Sequence, residues 1–299
     1  KNVFGLDIGA SLIKAVEIQK QKSQPVLTRA ATVWTPEKGI TSESELDHTR
    51  LSQIIKKLVE DSKISTKYVN VALPEQLVYT RVIDVPNLSD KELGSAIHWE
   101  AEQYIPSPLS EVVLDYQVIQ RPTDPTGTMK MLLVAAPTVL INKYKKVIDD
   151  AGLEPFVFET EVLSITRVIQ KVKSEATTLI VSIGAAGTTL AILHQGILVS
   201  TYSIPIGGAA MTKAISADLG FDERTAEEYK KTYGLTQDLE GKVATVLLPI
   251  VKSIFTEVEK SIKFYQEKYP QGRIETIILS GGGAMLPGLP SVFAQSFGI

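Results

Sequence analysis

Three glycine turns, each directly after a run of apolar residues, are the features of this sequence that could do chemistry: Asp7-Ile8-Gly9-Ala10-Ser11, Ser182-Ile183-Gly184-Ala185-Ala186-Gly187-Thr188 and Ser280-Gly281-Gly282-Gly283. Glycine at such a point lets the backbone turn tightly, and it lets N–H groups approach a phosphate with no Cβ in the way. One turn of this kind can be a hairpin and nothing more. Two related turns between strands in two halves of one chain, with a third after a helix and a strand, fit two hairpins gripping one polyphosphate. A Walker loop does not fit, because no Gly-Lys-Ser/Thr occurs. A dinucleotide-binding turn does not fit either, because none of the three opens a βαβ unit with the required glycine spacing. No Ser-His-Asp or paired-carboxylate constellation is visible, and His48, His98 and His194 lack metal-ligand spacing.

The elements that must position these turns follow from periodicity. Strands over 3–8, 12–19 and 26–34 precede a helix over 46–62, in which Leu51, Ile54, Ile55, Leu58 and Val59 recur at helical spacing, and then a strand over 68–73. Strands over 178–183, 188–193 and 197–204 repeat the opening arrangement, so the fold contains an internal duplication. Between the halves lies a β-α-β-β-α block. It has strands over 78–85, 112–120 and 129–136, a helix over 91–104 with Ser89 and Glu92 as a capping box, and a helix over 139–151. Helices over 162–173, 209–219, 223–233 and 243–269 and a strand over 274–280 complete the pattern. The implied organisation is a first lobe of 1–73 and 155–176, a small inserted domain of 74–154, and a second lobe of 177–299.

Composition sets the outer limits. The chain has 299 residues, 44% hydrophobic and 22% charged, which sets aside disordered and low-complexity readings. A formal net charge of −3 lacks the basic stripe of a general nucleic-acid binder. Without cysteine there is no disulfide framework, thiolate metal site or Cys nucleophile, which fits a reducing cytoplasm. No apolar run approaches the ~20 residues of a membrane span. The chain enters its first strand with no leader, and it starts without Met and ends at Gly298-Ile299, which suggests part of a longer chain.

Five segments resemble, in order, the nucleotide-binding segments of the actin-like ATPase superfamily. They are Leu6 to Ser11 with Lys14, Ile183 to Thr189, Ile206-Gly207-Gly208, Ala226 to Lys231, and Leu279 to Gly283. Within that superfamily, His98-Trp99-Glu100-Ala101-Glu102-Gln103-Tyr104-Ile105-Pro106 and Val113-Leu114-Asp115-Tyr116 resemble the PilM family of type IV pilus assembly proteins, to which the cell-division protein FtsA is related. The resemblance implies a two-lobe, ribonuclease H-like α/β fold with an α+β insert, binding ATP with Mg²⁺. Asp7 would hold the metal through water, the N–H groups of Gly9, Ala10 and Ser11 would touch phosphates, and Lys14 would add positive charge. Gly184, Gly187 and Thr188 would clamp the phosphates from the second lobe, near Gly207 and Gly208. Glu227 and Lys230 would reach ribose and adenine, and Gly281, Gly282, Gly283 and Met285 would line the adenosine pocket. Glu159 would orient the attacking water, with Glu161 an equal contender.

Read by themselves, Asp7 could cap a turn, Lys14 could be an edge lysine, and Glu227 and Lys230 could form an exposed helix face. One departure from the family is Ser182, where an Asp is usual. Losing that charge from the metal shell implies slow or absent hydrolysis. The family resemblance further implies a cytoplasmic scaffold that docks the tail of the inner-membrane protein PilN in a groove between the first lobe and the insert. Such a scaffold would reach the membrane only through that partner, could self-associate, and would not bind nucleic acid. An FtsA-like filament former and a small-molecule kinase of the same superfamily are the alternatives.

Overall fold

The computed structural model describes every residue except 1, 23, 125, 173 and 174. The expected hairpin over 20–24, turn over 122–127 and helix end at 173 thus lie partly outside the described residues. The chain divides into two compact units, Lys1–Ile165 and Thr166–Ile299.

The first unit runs β1 (Phe4–Ile8), β2 (Leu12–Gln21), β3 (Gln24–Trp34), α1 (Glu45–Asp61), β4 (Tyr68–Leu73), β5 (Tyr79–Pro86), α2 (Asp90–Glu102), β6 (Val112–Gln120), β7 (Thr128–Pro137), α3 (Thr138–Asp150) and β8 (Glu154–Thr160). The division between the units falls inside α4 (Glu161–Val172). A five-stranded sheet has the order β3-β2-β1-β4-β8, with β1 antiparallel to β2 and parallel to β4. Alternation builds it. Phe4, Leu6 and Ile8 of β1 and Ile13 and Ala15 of β2 point into the core, where Leu51 and Ile55 of α1 meet Val69 and Val71 of β4. Each of the Phe, Leu, Ile and Val side chains among them contributes about 1.5–3 kcal/mol when fully buried.

A three-stranded antiparallel sheet, β5-β7-β6, has a core of its own, formed by Ile83, Val85, Met129, Met131 and Leu133 against Leu93 and Ile97 of α2. The expected capping box is present: Ser89 Oγ accepts from the Glu92 N–H, and the Glu92 carboxylate accepts from the Ser89 N–H. The two helices of the 74–154 block pack differently. Tyr144, Val147 and Ile148 of α3 are buried in the core of the five-stranded sheet, and Lys143 and Lys146 bind Glu43 and Glu45 at the start of α1. The core of the small sheet therefore closes with β7, and α3 is shared structure of the larger sheet.

The second unit continues with β9 (Thr178–Ile183), β10 (Thr188–His194), β11 (Ile197–Ile204), α5 (Gly208–Leu219), α6 (Glu223–Tyr233), α7 (Lys242–Lys268), β12 (Thr276–Ser280) and α8 (Leu289–Phe297). Its sheet order, β11-β10-β9-β12, repeats β3-β2-β1-β4 with the same pattern of antiparallel and parallel pairs. The duplication inferred from the sequence is thus present in the topology. In α7, Val243, Leu247, Val251, Ile254 and Val258 recur every three or four residues and bury one stripe against this sheet.

Candidate functional site

In the first unit, antiparallel pairing sets Asp7 opposite Lys14, so both side chains leave the same face. Lys14 Nζ lies 2.6 Å from Asp7 Oδ2, while the buried Asp7 Oδ1 makes no hydrogen bond. A carboxylate with one oxygen neutralised and the other unsatisfied suits acceptance from a metal-bound water, which is the role expected for Asp7. The turn itself is pinned. The Gly9 N–H donates to Leu12 O at 3.1 Å, Thr35 Oγ1 donates to Gly9 O at 2.7 Å, and the Thr35 N–H donates to Ser11 O at 2.9 Å. Ala10 and Ser11 form its exposed tip. A Cβ on Gly9 would stand 2.9 Å from Leu12 O, so this position requires glycine.

The two candidate glutamates separate here. Glu159 shares a row with Asp7, with Ala72 of β4 between them, two strand spacings or roughly 9–10 Å away. Asp7 opposes the ionisation of Glu161, the first residue of α4. Burial, then the charge of Asp7, push its pKa up to about 7; Lys14 partly offsets them, and Glu75 adds to the rise. Burial likewise raises the pKa of Glu75 and of the Tyr144 hydroxyl, which also senses Glu161 and Asp7. Sequence reasoning does not single out Glu75 or Tyr144. An acidic residue after Pro74 reads as a surface turn, and an aromatic on an amphipathic helix reads as core.

In the second unit, three glycine segments converge on the end of β9. The Gly184 N–H donates to Gly187 O at 2.8 Å, closing the β9–β10 turn. The first amides of α5 then hold that turn, Gly208 N–H to Gly184 O and Ala209 N–H to Ala185 O, both at 2.9 Å. Thr188 Oγ1 donates to Ile206 O at 2.6 Å. Gly281, with φ +80°, and Gly283 press on Ile183, where a Cβ would collide, whereas Gly282 faces open space. Met285 is 84% exposed just beyond.

Glu227 and Lys230 are bound to each other at 2.5 Å and to α5: Lys230 donates to Gly208 O at 3.0 Å, and Thr212 Oγ1 donates to Glu227 at 2.5 Å. Burial opposes ionisation of Glu227, but the hydrogen bonds from Lys230 and Thr212 outweigh it and hold its pKa below the ordinary value. The pair clamps α6 to α5 beside Gly208. Ser182 stands at the position that Asp7 holds in the first unit, flanked in register by Thr189 and Ser280, so no carboxylate occupies this row. No cluster of three or more His, Asp or Glu among the described residues could hold a metal by itself. A magnesium ion here would therefore depend on the phosphates and water for most of its shell.

The family model of the type IV pilus assembly protein PilM matches residues 5–299. The chain belongs to the PilM family. A chain of the solved PilM-PilN type IV pilus biogenesis complex is similar at a TM-score of 0.88 and 28% identity, covering 100% of this chain and 87% of that one. FtsA of Streptococcus pneumoniae serotype 2 (strain D39) is 25% identical over 342 residues, covering 99% of this chain and 73% of its own. MreB5 of Spiroplasma citri bound to AMPPNP shares the fold at a TM-score of 0.56 and 15% identity, covering 100% of this chain and 90% of that one. The fold is actin-like, as the five segments of this PilM-family sequence imply. No helix among its described residues is long and apolar enough to cross a membrane.

Proposed function

We propose that this PilM-family chain is an ATP-binding cytoplasmic scaffold of type IV pilus assembly that docks the cytoplasmic tail of a PilN-type inner-membrane protein. The observation that carries the reading is the likeness, over the whole chain, to a chain of the PilM-PilN complex. The tail would lie between the five-stranded sheet of the first unit and the inserted block of 74–154, and the scaffold would reach the membrane through it. An extended peptide suits such a place, because its side chains fill apolar recesses while its backbone finds polar partners along the walls.

For ATP, the first unit would offer the Gly9-Ala10-Ser11 amides and Lys14, and the second unit would offer Gly184, Gly187 and Thr188. Gly207, Gly208 and the Gly281–Gly283 segment would provide the close backbone surface, with Met285 beside it. Glu227 and Lys230 would form a rigid wall, since their charges already satisfy each other. Asp7 would bind Mg²⁺ through water, which would neutralise phosphate charge. Glu161, whose ionisation Asp7 opposes, is the candidate to orient a water, and Ser182 in place of a carboxylate keeps turnover slow. Replacing 79–137 by a short linker is expected to abolish binding of a PilN tail peptide in fluorescence polarisation while leaving ATP binding intact. Equal loss of both contradicts the reading.

A second reading, an FtsA-like filament former, is favoured by the FtsA relatives that match 99% of the chain. Light scattering with ATP and Mg²⁺ separates the two: the scaffold stays small, whereas the filament former scatters increasingly with concentration.

A further inference from the structure

Glu75 is buried where a glutamate is costly, and nothing in the nucleotide or tail reading uses it. It is 5% exposed, and its Oε2 makes no hydrogen bond. No lysine or arginine is among the groups that act on its carboxyl. A buried carboxyl without a cation is expensive unless it has a positional task.

The topology shows what that task is. β4 and β8 run parallel with Leu73 opposite Thr160, so the chain leaving β4 through Pro74 travels beside the chain leaving β8 into α4. From its place after β4, the Glu75 carboxyl lies near Thr80 at the start of β5, Thr160 at the end of β8, and the N–H of Val162 in the first turn of α4. Thr160 Oγ1, like Glu75 Oε2, is buried and makes no hydrogen bond, so the Val162 N–H is the contact that would tie Glu75 to the corner. That N–H is one of the amides a helix start leaves without an intrahelical partner. Thr160 and Val162 are the chain neighbours of Glu161. Glu75 therefore addresses the residue on each side of Glu161, and Glu161 is the carboxyl that feels Asp7 and Lys14.

We propose that Glu75 is a positioning residue that fixes the β8–α4 corner and so holds Glu161 toward Asp7 and Lys14. It does not touch nucleotide; it sets the direction of the group that would. Holding the corner is independent of the nucleotide reading, whereas the consequence for turnover rests on it.

Amide hydrogen exchange tests the positioning itself, on Glu75→Ala, Glu75→Gln and the wild type without nucleotide. Glu75→Ala is expected to speed exchange at Val162 to Ser164 roughly tenfold, while β1 and β9 amides stay within about twofold. Glu75→Gln, which keeps shape and hydrogen-bonding capacity, restores the corner. Should Glu75→Ala not fold, Glu75→Leu beside Glu75→Gln gives the same comparison, because leucine keeps most of the volume and removes the hydrogen-bonding oxygens. Unchanged exchange at the corner, or a uniform loosening of the first unit that Gln does not reverse, overturns the proposal. ATP affinity and single-turnover hydrolysis are then measured on the same proteins: Glu75→Ala is expected to slow hydrolysis about tenfold or more with affinity within about twofold. A wild type that binds no ATP, with the corner effect present, defeats the nucleotide reading and leaves the positioning role standing.

Discussion

Gly207→Ala is expected to destabilise the second unit by about 4 kcal/mol or more, enough to leave much of it unfolded at ambient temperature. The added Cβ would stand 2.5 Å from Gly184 O, 2.6 Å from Ala185 O and 2.7 Å from Gly187 N. All three are backbone atoms, so no flexible side chain can move aside. The turn is also tied to α5 through the Gly208 and Ala209 amides, and relief requires breaking those hydrogen bonds or shifting the helix. Gly282→Ala is the matched control: its Cβ would meet nothing within 4 Å, and its expected effect is within about 0.5 kcal/mol. Guanidinium unfolding read by circular dichroism checks both. Similar midpoints for the two variants would show that the packing of the three glycine segments has been misjudged.

Glu161→Gln is expected to stabilise the protein at pH 8 and to do little at pH 5, in the absence of nucleotide and Mg²⁺. The folded-state pKa of Glu161 is raised from 4.5 to about 7, by burial first and by Asp7 second, with Lys14 offsetting and Glu75 reinforcing the rise. Tyr144 also faces it, and the charge of Glu161 discourages ionisation of that hydroxyl. A raised folded pKa means the folded state binds the proton more tightly than the unfolded state. The associated stability is fully present below about pH 4.5 and is lost as pH rises through about 7. Above that, the ionised carboxylate weighs on the fold by up to about 3 kcal/mol, which glutamine removes. Denaturant unfolding at pH 5 and pH 8 reads the difference; an equal change at both would remove the ionisation argument.

The sheets were legible in the sequence because their residues carry alternation and turn chemistry in the local chain. β9, β11 and α6 lie where periodicity puts them, and the Ser89–Glu92 box announces α2. Relations across space left no such mark. The amphipathic pattern of α3 says that one face is buried, not that Tyr144 joins the five-stranded sheet instead of the small one. Glu159 lies in β8 and Glu161 opens α4, and nothing local to the sequence marks the corner between them. The spacing of Glu227 and Lys230 is visible, but Thr212 and Gly208 O, which lock the pair, lie on another helix. Nothing local to the chain signals that Glu75 is buried.

The most direct test is a calorimetric titration of ATP·Mg²⁺ into the wild type beside Asp7→Ala. The account predicts saturable one-to-one binding to the wild type and affinity at least about tenfold weaker in the variant, which loses the partner of Lys14 and the carboxylate proposed to accept from metal-bound water. Absence of saturable heat with the wild type, or the same affinity in both, would contradict it.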